Sequence, residues 1–483
     1  MPRYQPTLER SVKRKKAGQK PGISRSAAEA DKLFFMDQSL TRDLQEQDRN
    51  FLVHPFTDHS QLHALGTHIV LEGDGCYIRD ESGRKILDGL AGLWCVNVGY
   101  SSKAIARAVS EQIARMPYYP SFFNSTTEPP IRVAKFLAER APPRVNRTIF
   151  SNSGSEANET ALKVIRAFWK LKGRPSKRKI LSRTFSYHGV TLAATSMTGL
   201  PNCQEPFDLP LPGFLHAPAP YAYGANTKLS EVAYGEWCIE ETRRIIAEQG
   251  AETIAAFYVE PIQGAGGVII PPAGYLSALR ELCRENEILF VADEVITAFG
   301  RLGDWFASNL WNLDPDLICL AKGLTSGYLP FSATMLSDEV AEPILQAGYF
   351  AHGFTYSGHP VCGAAALANL EEIESLGLIQ NVTSDLGPYF QQKLREIQGH
   401  RAVAEVRGYG LIAGVELVPR EGRSALTPTS MLGLKAWSLI REEGAMVRGI
   451  RNLIAISPPL IISPEEIDKL FDCIRRGLDR LWN

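Results

Sequence analysis

The sequence predicts an α/β protein with a large domain on a mostly parallel sheet and a smaller α+β domain assembled from both chain ends. Three observations predict it. From about Leu40 to Thr355, short apolar runs alternate with longer amphipathic stretches, the mark of βαβ units. Several of those runs end in polar or glycine-rich residues at their carboxyl ends, the edge of an open sheet where ligands sit. At 483 residues the chain is also too long for one small core. The expected organisation is a basic, mobile extension over 1–35, a first part of the small domain over 36–92, the large domain over 93–360, and the rest of the small domain over 361–483.

Bulk properties narrow the function. The chain is 45% apolar, and 52 Lys and Arg nearly balance 53 Asp and Glu, so no global field favours nucleic acid or an anionic membrane. A small neutral or zwitterionic ligand fits better. The 8 cysteines are scattered without a C-x-x-C pair or a metal-ligand spacing, so no metal site is expected. They read as reduced thiols of a cytoplasmic chain. No apolar run approaches the roughly 18 residues of a membrane span. At the start, Arg3, Arg10, Lys13, Arg14, Lys15, Lys16 and Lys20 face only Glu9, and prolines 2, 6 and 21 argue for a tail. Organelle targeting by this segment stays open, although its Lys-rich run suits a transit peptide badly.

Taken in order, the elements begin with a small meander. Gly73-Asp-Gly75 and Ser82-Gly83 punctuate the strand-like runs Cys76–Asp80 and Lys85–Asp88. Next, Arg147–Phe150 enters the loop Ser151-Asn-Ser-Gly-Ser-Glu156 ahead of a helix. Ser153 and Glu156 have capping-box spacing, and free N–H groups at a helix start make an anion site. Gly154 permits close backbone approach and Ser155 adds a hydroxyl; the alternative is a plain, well-capped helix. The run Thr253–Val259 meets Glu260, Ile288–Ala292 meets Asp293, and Asp316–Ala321 meets Lys322. These strand ends bring Ser155, Glu260, Asp293 and Lys322 to one crevice. After Gly358-His-Pro360, the Ala-rich stretch Cys362–Leu376 reads as a long helix, while Pro201–Tyr234 stays unplaced.

Each residue has a chemical and an ordinary reading. Asp293 at a buried strand end needs a cation: a protonated pyridine nitrogen, or a salt bridge to an arginine such as Arg301. Lys322, partly desolvated, would lose its charge readily and offer a neutral amine to an aldehyde, or else snorkel to solvent. Tyr187 follows the run Lys179–Ser182 and can lie flat on a planar ring, or be core. His188 has no acid close in sequence and reads as a hydrogen-bonded structural residue beside that ring. Trp94, Phe122 and Phe123 are wall or packing aromatics. No G-x-G-x-x-G or Walker loop follows the early strands, which disfavours a nucleotide-binding enzyme.

Together, Ser-Asn-Ser-Gly-Ser-Glu-Ala-Asn (151–158), Tyr-His-Gly (187–189), Glu-Pro-Ile-Gln-Gly-Ala-Gly-Gly (260–267), Asp-Glu-Val (293–295), Phe-Gly-Arg (299–301), Ala-Lys-Gly (321–323) and His-Gly-Phe-Thr-Tyr-Ser-Gly-His-Pro (352–360) resemble the class III aminotransferases of fold type I. The likeness runs from about Leu40 to the C-terminus. It implies a pyridoxal-phosphate enzyme with Lys322 as Schiff-base lysine and proton carrier, Asp293 on the pyridinium nitrogen, and Tyr187 stacked on the ring. Val295, followed by Ile296, would pack on the opposite face. Gly154, Ser155 and Thr355 would hold the phosphate, Thr355 coming from the second subunit of a homodimer. Glu260 and His188 would belong to the polar network around the cofactor.

Departures within the family point to a subgroup. Ornithine and 4-aminobutyrate aminotransferases carry Glu at the position of Ala265 and Gln at that of Ile296. Those residues and Gly92-Leu-Trp94 look like ω-amino acid or amine:pyruvate transaminases. There an arginine ten residues before Pro-Pro swings in to bind carboxylate, and Arg448 stands ten before Pro458-Pro459. Arg451 is the nearby rival for that role. The expected reaction is ping-pong transfer of an amino group from an amine or ω-amino acid to a keto acid, pyruvate foremost. A decarboxylating aminotransferase or an aminomutase would share every cofactor residue, and a non-catalytic phospho-ligand binder would share the loop alone.

Overall fold

Strand β1 (Val70–Asp74), which includes Gly73 expected as punctuation, precedes the two punctuated runs, which form strands β2 (Tyr77–Asp80) and β3 (Lys85–Asp88) as the glycine spacing predicts. The computed structural model describes residues 36–422 and 430–482; the tail expected to be mobile, 1–35, lies outside them. β4 (Val145–Ser151), β5 (Lys179–Arg183), β6 (Phe214–Ala217), β7 (Ile254–Val259), β8 (Leu289–Asp293), β9 (Leu317–Leu320) and β10 (Ser332–Ser337) build one seven-stranded sheet, in the order β4-β10-β9-β8-β7-β5-β6. Only β10 runs against its neighbours; β5, β6, β7, β8 and β9 pair in parallel.

Every residue of β7, β8 and β9 is buried, which is why these strands read as unbroken apolar runs rather than alternating ones. β6 falls inside the stretch that sequence reasoning left unplaced; Phe214-Leu-His-Ala is too short and mixed to announce itself. The long helix predicted over Cys362–Leu376 spans Pro360–Ser375, with Pro360 at its first turn.

Two further sheets draw on the chain's later residues. β11 (Val403–Tyr409), β12 (Ile412–Leu417), β14 (Arg448–Ile450) and β15 (Leu453–Ile456) form a four-stranded sheet. β13 (Ala445–Met446) pairs in parallel with β3, so one sheet holds strands from both ends of the chain. By contacts, the chain divides into residues up to Ile69 with Asp80–Arg84, and Val70–Arg79 with Lys85 onward. In the first unit, Asp37 caps the helix Gln38–Phe51 and Asp58 caps His59–Leu65. Every site residue below belongs to the second unit.

Candidate active site

The parallel strands point their carboxyl ends the same way, so the residues that follow them meet. β8 ends on Asp293, which pairs in register with Cys319 of β9, three residues before Lys322. Lys322 opens a tight turn, Lys322–Leu324, with φ of 43°, a left-handed conformation that costs a lysine roughly 1–2 kcal/mol. Asn369, buried on the Pro360–Ser375 helix, anchors this turn by donating to the Gly323 and Leu324 carbonyls at 2.9 and 3.0 Å. Burial lowers the Lys322 ammonium below its ordinary pKa, against the opposing pull of Cys95, Asp293 and Glu260. A neutral amine is therefore easier to reach here than on a solvated lysine.

Asp293 does not pair with Arg301. Its Oδ2 accepts from His188 Nδ1 at 2.7 Å and Asn158 Nδ2 at 2.9 Å, and its Oδ1 accepts from the Val295 N–H at 3.2 Å. His188, which has no acid close in sequence, thus finds its acid partner 105 residues along the chain. Its Nε2 is buried with no partner among the described residues, so the tautomer protonated on Nδ1 strands no donor. Arg301 instead donates to the Leu411 and Pro458 carbonyls and to Asn97, and burial lowers its pKa to about 9.

Beside them, Glu260 accepts from the Tyr187 N–H at 2.9 Å and the Gly264 N–H at 3.1 Å, and burial raises its pKa to about 6. It fixes the backbone of the residue expected to stack on the ring. At the start of the Gly154–Leu171 helix, Ser153 accepts from the Glu156 N–H. The second half of the expected capping box is missing, because the Glu156 carboxylate turns to Asn152. A Cβ on Gly154 would lie 3.2 Å from Val295, and one on Gly189 would collide with Ser155. Ser155 Oγ accepts from the Val190 N–H at 3.0 Å, leaving its proton to donate.

Arg448 and Arg451 sit on one hairpin and differ sharply. Arg451 donates to the Gly266 carbonyl at 2.7 Å and lies 5.3 Å from the Phe185 ring centroid. Arg448 pairs with no carboxylate among the described residues; its guanidinium lies 5.8 Å from the Trp94 ring centroid, and its Nε is buried without a partner. Burial lowers its pKa, and Tyr187 opposes that. Gly264 packs on Ile296, and Ala265, at the apex of the adjoining turn, brings no carboxylate to Arg448.

Some expected residues stand apart within one chain. Phe122 packs on Gly353 and on Phe123, which is 90% exposed, and Thr355 is exposed with its carbonyl held by Tyr118. They group with each other rather than with Lys322. Sequence reasoning missed Asn158, Asn369 and Cys95. For Asn158 a signal existed: it interrupts the buried face of a helix between Ala157 and Ala161.

Comparison with known proteins places the chain in a family. A model of the class-III aminotransferases matches residues 59–478. The chain belongs to that family. This aminotransferase is 41% identical over 440 residues to the putrescine–pyruvate aminotransferase of Pseudomonas aeruginosa, covering 91% of this chain and 96% of that one. Its fold is similar to an (S)-enantioselective ω-transaminase from Thermomicrobium roseum, with a TM-score of 0.88, 40% identity, and coverage of 92% and 99%. It is also similar to the ω-transaminase of Pseudomonas jessenii solved with PMP, with a TM-score of 0.87, 37% identity, and coverage of 91% and 98%.

Members of the family use pyridoxal 5'-phosphate, and the aminotransferase offers what that group needs. A desolvated lysine can meet its aldehyde, and a buried carboxylate with one oxygen fixed by two donors can meet its ring nitrogen. A helix start beside Ser155 can receive its phosphate.

Proposed function

We propose that this aminotransferase takes its amino group from an amine or ω-amino acid and gives it to pyruvate. The observation that carries the reading is Arg448, a half-buried guanidinium with no carboxylate partner among the described residues, beside Trp94 and Tyr187. A buried cation without a counter-charge is costly, and a substrate carboxylate would supply one. An arginine suits this because its planar fork pairs with carboxylate bidentately.

When bound, the cofactor supplies a ring that withdraws electrons from the substrate carbon. The protein's own residues do the rest. Lys322, once its nitrogen is free, would take a proton from the substrate carbon and return it to the carbon on the other side of the transferred nitrogen. Asp293, held by His188 and Asn158, keeps the ring nitrogen protonated. Tyr187, fixed through Glu260, forms one wall, with Val295 opposite. Arg448 pairs with carboxylate when pyruvate enters and withdraws for an apolar amine, so one pocket serves both half-reactions.

A second copy of the chain fits this reading. Thr355 is exposed beside Tyr356, with Phe123 and Tyr349 also exposed, a surface suited to a homodimer in which Thr355 reaches the other copy's phosphate site. Thr355→Ala is then expected to raise the Kd for pyridoxal phosphate about tenfold, the loss of a hydrogen bond to a charged group. Equilibrium dialysis would check it, and an unchanged Kd would remove Thr355 from the site. The free cysteines suit the reducing cytoplasm.

The test of the substrate reading compares pyruvate with acetaldehyde, an acceptor lacking the carboxylate. In Arg448→Ala, the kcat/KM for pyruvate relative to acetaldehyde is expected to fall about 10- to 100-fold. A ratio that stays at the parent value would refute the role of Arg448.

A further inference from the structure

The turn from Gln263 to Ile269, with Ala265 at its apex, reaches both segments that wall the site. Gln263 and Ile269 close it with reciprocal backbone hydrogen bonds of 3.2 and 2.9 Å. A Cβ on Gly264 would collide with Ile296, the residue after Val295, and one on Gly266 would collide with the carbonyl of Phe185, two residues before Tyr187. Val268, although β-branched, has φ of 51°, a left-handed conformation that such a residue rarely adopts and keeps only where its surroundings fix it.

What fixes it comes from the later sheet. Arg407 of β11 donates from Nε to the Val268 carbonyl at 2.8 Å and to the Gly267 carbonyl at 3.1 Å, and its Nη2 donates to Gly267 as well. The guanidinium is oriented in turn by Glu416 of β12 at 2.6 Å, by Glu405 at 2.8 Å and by the Tyr221 ring, whose centroid is 4.8 Å away. Tyr221 Oη also donates to Glu416. The Arg407 and Glu416 side chains are 11% and 6% exposed. A buried ion pair adds little net stability, because desolvation offsets its attraction. Its effect here is to aim a planar fork at two carbonyls of one turn. Glu260 holds the other end of that turn through the Gly264 N–H, so charged side chains grip it on both sides.

We propose that Arg407 is a positioning residue for the cofactor: by holding the Gly267 and Val268 carbonyls it seats the turn against Phe185 and Ile296, and so sets the spacing between the ring walls Tyr187 and Val295. This rests on the reading of Tyr187 and Val295 as those walls. Arg407 acts through the turn and not on the substrate. Protein interiors are close-packed and transmit displacement, so a turn released on one side shifts the residues it abuts. Lysine is no equal replacement, because a point charge cannot serve two carbonyls and two carboxylates at once as the fork does.

The experiment compares Arg407→Met, Arg407→Lys and Tyr187→Ala with the parent holoenzyme. For each, the Kd for pyridoxal phosphate, the visible circular dichroism of the bound cofactor and the melting temperature are measured. Arg407→Met is expected to raise the Kd about 3- to 30-fold, within the coupling range of residues that share one hydrogen-bond network, and to weaken the dichroic band. Arg407→Lys, which keeps a charge opposite Glu416, is expected to fall between the parent and Arg407→Met. A lower melting temperature with Kd and dichroism at the parent values would make Arg407 a structural ion pair alone and overturn the proposal. Should Arg407→Met not fold, Arg407→Lys decides: a raised Kd with a weakened band supports the proposal, and parent values of both overturn it. Parent values in Tyr187→Ala would overturn the reading of the wall and the proposal with it. Altered values in Tyr187→Ala beside parent values in Arg407→Met would overturn the proposal alone.

Discussion

Lys322→Ala is expected to lower transamination on the order of 10⁴-fold or more, the largest effect of any single substitution in this chain. In the proposed function the lysine is both the covalent anchor of the cofactor and the base that moves the proton, and general acid–base catalysis alone contributes about 10²–10⁴-fold. Its placement leaves no substitute. Lys322 is half-buried with its ammonium desolvated, the turn that presents it is fixed by Asn369, and Lys177, just before β5, and Lys179, at its start, donate to carbonyls near the opposite, amino-terminal ends of the strands. Borohydride reduction followed by peptide mapping should find the pyridoxyl group on residue 322 in the parent protein and on no residue in the variant. Added methylamine should restore part of the proton-transfer rate, because a small free amine can occupy the vacated space. A label elsewhere in the parent would sink the assignment.

Asp293→Asn should be the next most damaging, lowering kcat about 10²–10³-fold. The change is nearly isosteric but removes the charge proposed to hold a proton on the ring nitrogen, and breaking one side of a buried ion pair costs about 3–5 kcal/mol. The amide also presents an NH2 group where both oxygens now accept hydrogen bonds. Either it faces His188 and Asn158, or it faces the Val295 N–H. Measuring kcat together with the Kd for pyridoxal phosphate separates the consequences: the first reports the lost electron sink, the second the lost binding. A variant within tenfold of the parent in kcat would show that the ring nitrogen is not managed by this carboxylate.

Much of this was legible beforehand because the parallel strands are buried on both faces. β7, β8 and β9 therefore appear as continuous apolar runs, and the polar residue ending each run is the one delivered to the crevice. The Gly154 and Ser155 loop was readable from the same strand-to-helix logic. What escaped were interactions between residues distant in sequence. Nothing near His188 announces that its imidazole binds Asp293, 105 residues on, and nothing near Asn369 announces the turn at Lys322. Arg301 was a plausible mate for Asp293 by proximity alone. It turned away because the Pro458 and Leu411 carbonyls, brought in by the later sheet, claim its donors. The 4-residue β6 was missed for a different reason: a short edge strand with two of its residues only half-buried has no period to detect.

The three donors around Asp293 come from separate places: a helix, the loop after β5, and the backbone two residues further on. All are the protein's own. The orientation of this carboxylate is thus a product of tertiary folding, already purchased when the sheet assembles, and a ligand docking there spends little of its affinity on organising the acid it meets.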